Sequence, residues 1–151
     1  MSLKMISGDL IKAAKEGNFD VIAHGCNCFC NFGAGIALQI RYVFPEAYAA
    51  DCQTEKGDIN KLGTCSVADI TLENNQVLHI VNAYTQFSTG RGLQVNYDSV
   101  RFCMRYIKKR FSGLRIGLPL IGCGLAGGDW DVVGPIIAEE LSDEDVTIMV
   151  L

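Results

Sequence analysis

Short apolar runs alternate along this chain with segments whose apolar positions recur every three or four residues. The first pattern marks strands; the second marks helices packed on one face. Lys4–Ser7 reads as a short strand stopped by Gly8, and Asp9 caps a helix over Leu10–Lys15 that Gly17-Asn18 ends. Val21–Ala23 is apolar at every position, as in a strand buried on both faces, and a long loop is expected from His24 to Gly33. Gly35–Val43 reads as a helix. Pro45 breaks it and opens a second over Pro45–Glu55, stopped by Gly57. Thr64–Ile70 and Gln76–Ala83 are expected strands joined by the polar turn Glu73-Asn74-Asn75. Asn96 caps a helix carrying Tyr97, Val100, Cys103, Met104, Ile107 and Phe111 on one face. Arg115–Leu120 reads as a central strand and Val146–Leu151 as the last. Before the last strand, Asp129 can cap a helix, and Pro135 predicts an irregular first turn from Trp130.

The alternation runs from end to end without a repeat or linker, which predicts a single α/β domain over residues 4–151. Met1 to Leu3 precede the pattern and read as an appended remnant. With 151 residues the chain is long enough for a real core. Its net charge of −4, with scattered lysines and arginines, excludes the broad basic face of a general nucleic-acid binder. A phosphate ligand must then be held locally, by backbone N–H groups and helix ends. No apolar run reaches membrane-spanning length, and the opening residues lack a secretory apolar stretch. Seven cysteines, an odd number, argue against a disulfide framework, so a reducing cytoplasm is expected; the net charge of −4 and the lack of an evident apolar patch make a monomer the expectation.

Two glycine-rich segments stand out. Asn31-Phe32-Gly33-Ala34-Gly35-Ile36 lies between a buried strand and a helix, where glycines allow close approach and the helix end offers unpaired N–H groups. Ile121-Gly122-Cys123-Gly124-Leu125-Ala126-Gly127-Gly128 follows a central strand; four glycines in the seven residues from Gly122 are a large entropic cost for a mere connector. Loops at the carboxyl ends of strands converge on one crevice in an open α/β sheet. Neither segment has the lysine of a P-loop or the dinucleotide spacing, so no cofactor is expected. His24-Gly25-Cys26-Asn27 adds a candidate general acid or base, His24, and a candidate ribose contact, Asn27. His24 reads equally as a hydrogen-bonded strand-end residue. Asp129 is a helix cap or a carboxylate that orients water, and Asp9 is at least a cap. Gln86, Ser88, Thr89 and Arg91 form a polar loop suited to the rim of a site. Cys26, Cys28 and Cys30 are too closely spaced for a usual zinc site and read as small apolar packing groups. Cys123 has the look of an exposed nucleophile but needs a base, and only His24 and His79 exist. Trp130 and Phe32 read as core cover.

The order Ser7-Gly8-Asp9-Leu10, Val21-Ile22-Ala23-His24-Gly25-Cys26-Asn27, Phe32-Gly33-Ala34-Gly35-Ile36-Ala37 and Leu118-Pro119-Leu120-Ile121-Gly122-Cys123-Gly124-Leu125 resembles the macro domain family over essentially the whole chain. It is most similar to the branches of ADP-ribose-1''-phosphate phosphatases and terminal ADP-ribose–glutamate hydrolases. The resemblance implies a three-layer α/β/α sandwich with a mixed, mostly parallel sheet, and a cleft for ADP-ribose, free or on a modified protein. It assigns adenine to Asp9 and Leu10, the distal ribose to Asn27, the ribose and a phosphate to Gly33, Ala34, Gly35 and Ile36, and the diphosphate to Ile121, Gly122, Cys123, Gly124 and Leu125. His24, Asn27 and Asp129 would then serve hydrolysis at the distal ribose, most concretely of ADP-ribose-1''-phosphate. The alternatives are a reader that binds without turnover, another de-ADP-ribosylating or deacetylating hydrolase, and a thiol hydrolase using Cys123. The glutamate-hydrolase branch places a lysine in the loop after the fourth strand and an aspartate after Gly-Cys-Gly-Leu. This chain has Thr85-Gln86-Phe87 and Ala126 there.

Overall fold

A computed structural model describes residues 3–151. Six strands are present: β1 (Lys4–Ser7), β2 (Val21–Cys26), β3 (Cys65–Thr71), β4 (Val77–Tyr84), β5 (Arg115–Leu118) and β6 (Asp145–Val150). Five α-helices accompany them: α1 (Leu10–Lys15), α2 (Gly35–Val43), α3 (Pro45–Cys52), α4 (Tyr97–Phe111) and α5 (Trp130–Glu140). The strands form one sheet in the order β1-β6-β5-β2-β4-β3. All neighbours are parallel except β3, which runs antiparallel to β4. The carboxyl ends of β1, β6, β5, β2 and β4 therefore share one edge.

Alternation along β2 fills the two faces of the sheet. Val21 and Ala23 join an apolar cluster with Val100, Met104, Ile107 and Ile137 of α4 and α5. Ile22 and Cys26 join a second cluster with Leu10, Ile40 and Ala47 of α1, α2 and α3. This is a three-layer α/β/α sandwich, and burial on both faces is why β2 carries no polar alternation. None of the described helices is long and apolar enough to cross a membrane.

Four details differ from the pattern-based expectation. β2 continues through His24, Gly25 and Cys26, which pair in register with Asn82, Ala83 and Tyr84 of β4. The polar histidine stays in a buried strand because a side chain of the neighbouring strand bonds its ring. β5 ends at Leu118, because Pro119 has no N–H for the ladder. α3 stops at Cys52, where Thr54 turns back to bond the Asp51 carbonyl through N and Oγ1 at 3.0 and 2.6 Å. A 3-10 turn, Ile59–Lys61, follows under an Asp58 cap. Finally, α5 is helical from Trp130 despite Pro135. The proline deprives only the carbonyl of Asp131, which lies in the exposed first turn where water can replace the lost bond.

Candidate active site

A cavity of about 600 Å³ opens at the carboxyl edge where β2, β4 and β5 end. That size suits a small organic ligand. Three segments wall it.

The first runs from β2 into α2. Asn27 lines the cavity, but its side chain holds the loop together: Oδ1 accepts from Phe29 N at 2.9 Å and Nδ2 donates to the Asn31 carbonyl at 3.2 Å. Asn31 also lines the cavity, and its carboxamide bonds no other described residue. It lies close against Gly33, where a Cβ would come within 2.5 Å of Asn31 Oδ1 and displace the carboxamide. Behind this loop α2 starts at Ala34, which offers no side-chain cap. By contrast, α1, α4 and α5 are capped by the side chains of Asp9, Asn96 and Asp129. The first-turn N–H groups of α2 are thus left open toward the cavity, at the positive end of the helix dipole.

The second segment is the loop from Pro119 to Asp129. Its internal bonds, Cys123 N to Leu120 O (3.1 Å), Gly127 N to Gly124 O (3.1 Å) and Gly128 N to Gly122 O (2.7 Å), coil it tightly. Among the described residues, the N–H groups of Gly122, Gly124, Leu125 and Ala126 find no protein acceptor. Gly122 has φ +73, and a Cβ there would meet Val95 Cγ2 at 2.5 Å, so no other residue fits without strain. Leu125 is exposed and reaches across the mouth: a Cβ on Gly35 would lie 3.6 Å from its Cδ1.

The third segment follows β4 and contributes Gln86, Thr89 and Gly90. The Ala126 carbonyl pins it to the second loop by accepting from Gln94 N and Val95 N at 2.8 and 3.2 Å. Ser88 serves through its carbonyl, which accepts from Gln86 Nε2 at 2.9 Å. Arg91 is exposed and lies outside the lining.

Of the residues singled out in the sequence, the cavity brings together Asn27, Gly33, Ala34, Gly35, Ile36, Ile121, Gly122, Gly124 and Leu125. Other expected residues stand elsewhere. His24 is fully buried on the opposite side of β2 from Gly25; its Nε2 lies 2.7 Å from Asn82 Oδ1 and its ring packs edge-on against Phe32. Burial pulls its pKa down to about 4 against a usual 6.5, so the ring is neutral at physiological pH. It does not line the cavity, and a general acid or base role for it does not fit. Asp129 caps α5 by accepting from Asp131 N at 2.9 Å and does not line the cavity. Asp9 stands at the end of β1 on the same edge, separated from β5 by β6, with Oδ1 capping α1 through Ile11 N and Lys12 N. Leu10 is buried in the core beneath it. Cys123 is turned to the Ile121 carbonyl, and burial raises its thiol pKa. With His24 bonded to Asn82, and His79 paired with Asp69 at 2.6 Å, no imidazole serves it as a base.

Asn31 and Gly25 fall in segments that the sequence singles out, but neither receives a role of its own there. The signal for Asn31 is its place two residues before Gly33 in a loop without other free polar groups. Gly25 is glycine because a Cβ there would stand 2.7 Å from Thr85 Oγ1, a buried hydroxyl with no partner among the described residues. The resulting lining holds carboxamides, a hydroxyl and backbone N–H groups. Its one ionisable side chain is the Cys26 thiol, pushed well above its ordinary pKa by burial.

Comparison with known proteins agrees with this architecture. An uncharacterized 17.5 kDa protein of Enterobacteria phage T4 is 34% identical over 154 residues, covering 99% of this chain and 96% of that one. An ADP-ribose 1''-phosphate phosphatase of Debaryomyces hansenii is 25% identical, over 89% of this chain and 92% of the yeast protein. The structure of Thermosipho africanus DarTG in complex with ADP-ribose aligns with a TM-score of 0.76 at 18% identity, over 98% of this chain; the chain spans only 42% of that protein. The profile of the Macro domain matches residues 23–137, and the chain belongs to that family.

Proposed function

We propose that the cavity binds ADP-ribose and that the protein hydrolyses a substituent from the distal ribose, with ADP-ribose-1''-phosphate as the first substrate to test. The observation that carries the reading is the pair of facing loops with open N–H groups: the uncapped start of α2 on one side, and Gly122, Gly124, Leu125 and Ala126 on the other. Such an array suits the two negative charges of a diphosphate without any lysine or arginine. Asn31 and Gln86, at the β2 and β4 end, offer carboxamides to the distal ribose, while Asp9, across β6 at the far end of the same edge, offers its second carboxylate oxygen to adenine. The phosphatase relative and the ADP-ribose-bound DarTG support the same ligand class.

The lining binds and orients but has no side chain that exchanges a proton at neutral pH. A hydrolase built this way takes its base from the ligand's own phosphate oxygens and holds water with backbone N–H groups. The same neutral lining favours a second reading, a module that holds ADP-ribose, free or protein-linked, without turning it over.

Calorimetric titration with ADP-ribose, run beside phosphate release from ADP-ribose-1''-phosphate and release of ADP-ribose from modified protein, decides between them. Binding with turnover establishes the hydrolase. Binding alone establishes the reader. Absence of binding removes both.

A further inference from the structure

Lys61 is the one lysine among the described residues that is buried, at 7% exposure, and nothing in the cavity uses it. It ends the 3-10 turn and points under the loop that follows β2. There its Nζ donates to the Cys28 carbonyl at 3.1 Å, stands 3.8 Å from Cys30 Sγ and lies 4.6 Å from the centre of the Tyr84 ring. Cys30 is the half-buried member of the Cys26, Cys28, Cys30 series, so small oxidants reach it more readily than its two buried neighbours. It holds a left-handed backbone, φ +55, and its thiol is directed to the Asp51 carbonyl at 3.4 Å. Thr54 and Tyr48 close the frame: Thr54 O and Oγ1 both lie 3.8 Å from Cys30 Sγ, and Tyr48 Oη donates to the Cys30 carbonyl at 3.3 Å. An amine and a thiol are thus held side by side at near contact, on segments thirty-one residues apart.

We propose that Cys30 and Lys61 form an oxidative modification site, in which a peroxide joins the two side chains through a nitrogen–sulfur bond. In the first step hydrogen peroxide transfers one oxygen to sulfur: its O–O bond breaks, an S–O bond forms, and water leaves, giving the sulfenic acid of Cys30. In the second step the Lys61 ammonium releases one proton to solvent and its nitrogen attacks that sulfur: an S–N bond forms, the S–O bond breaks, and the departing hydroxide takes a second proton from nitrogen and leaves as water. Sulfur is oxidised by two electrons, peroxide is reduced, and the sulfenamide product returns to thiol and amine with a dithiol reductant. The buried ammonium stays within reach because the Cys28 carbonyl holds it there, which gives it a proximity advantage over any solvent nucleophile. The link ties the 3-10 turn to the loop bearing Asn27 and Asn31, yet its formation does not depend on what the cavity binds.

The test treats the purified protein with hydrogen peroxide and maps its peptides by mass spectrometry. The expected result is a cross-linked pair containing Cys30 and Lys61, about 2 Da lighter than the sum of the reduced peptides and released by dithiothreitol. Cys30→Ser and Lys61→Arg each abolish it while Cys52 and Cys123 oxidise as before. A Cys28–Cys30 disulfide in place of the pair, or sulfenic acid at Cys30 that is trapped equally by dimedone with Lys61 present or replaced by arginine, overturns the proposal. Should Lys61→Arg fail to fold, the wild-type peptide map and Cys30→Ser decide it alone.

Discussion

His24 Nε2 and Asn82 Oδ1 meet at 2.7 Å between adjacent parallel strands, inside the sheet rather than at its edge. Asn82 passes the connection on: its Nδ2 donates to the Ala47 carbonyl at 2.9 Å and to Ser66 Oγ at 3.0 Å. One buried amide thereby ties β2 to β4, β3 and α3. Ser66 Oγ in turn shares a proton with Tyr84 Oη at 2.9 Å, and Tyr84 Oη donates to Asp51 Oδ1 at 2.6 Å.

His24→Ala leaves Asn82 Oδ1 buried without its donor. The expected cost is about 2–3 kcal/mol of stability, with ADP-ribose affinity kept at temperatures where the variant stays folded. Chemical denaturation and titration calorimetry read the two separately. Loss of turnover at full stability would restore His24 to the chemistry.

The same ring predicts a pH dependence. His24 titrates near 6.5 when unfolded and near 4 when folded, so the unfolded chain binds more protons between those values. Stability is present in full above pH 6.5 and falls as pH drops toward 4, by about 3 kcal/mol if no other group intervened. Asp51 opposes this, since burial raises its carboxyl pKa. The comparison must therefore be between wild type and His24→Gln, whose denaturation midpoints converge as the pH falls through that window.

Gly124 and Gly122 separate ligand contact from loop geometry. A Cβ at Gly124 meets nothing within 4 Å, so Gly124→Ala keeps its melting temperature and weakens ADP-ribose if the diphosphate packs there. Gly122→Ala clashes with Val95 at a left-handed position, loses about 1–3 kcal/mol and binds more weakly still. Equal affinities for both variants and wild type would place the ligand elsewhere.

Asp129→Asn retains a side-chain acceptor for Asp131 N and leaves stability unchanged, whereas Asp129→Ala loses about 1 kcal/mol. Turnover follows stability in both variants. A sharp drop in rate for Asp129→Asn alone would show the carboxylate to be chemical.

The order of elements was legible because burial on two faces writes itself as uninterrupted apolar strands and one-sided helices; Val21–Ala23 and the α4 stripe are the clearest cases. The second glycine-rich loop was legible because Gly122 holds a left-handed backbone against Val95, where a side chain would clash. What misled was polarity taken as exposure. His24 sits in a loop-like stretch of sequence, and only the partner strand, fifty-eight residues away, shows that its ring is satisfied inside the protein. Asn27 lines the cavity and also bonds Phe29 N and the Asn31 carbonyl, a loop-holding part that its residue type alone does not announce. Such competition is decided by three-dimensional neighbours, which spacing along the chain does not encode.

If the cavity holds the diphosphate as proposed, it does so with dipoles alone, on a protein whose own net charge is −4. Dipoles condense no counterions, so binding a compact dianion displaces few ions, and its affinity changes little with ionic strength. Under the proposed function, affinity for ADP-ribose would therefore depend little on added salt, a dependence that titration at two ionic strengths reads directly.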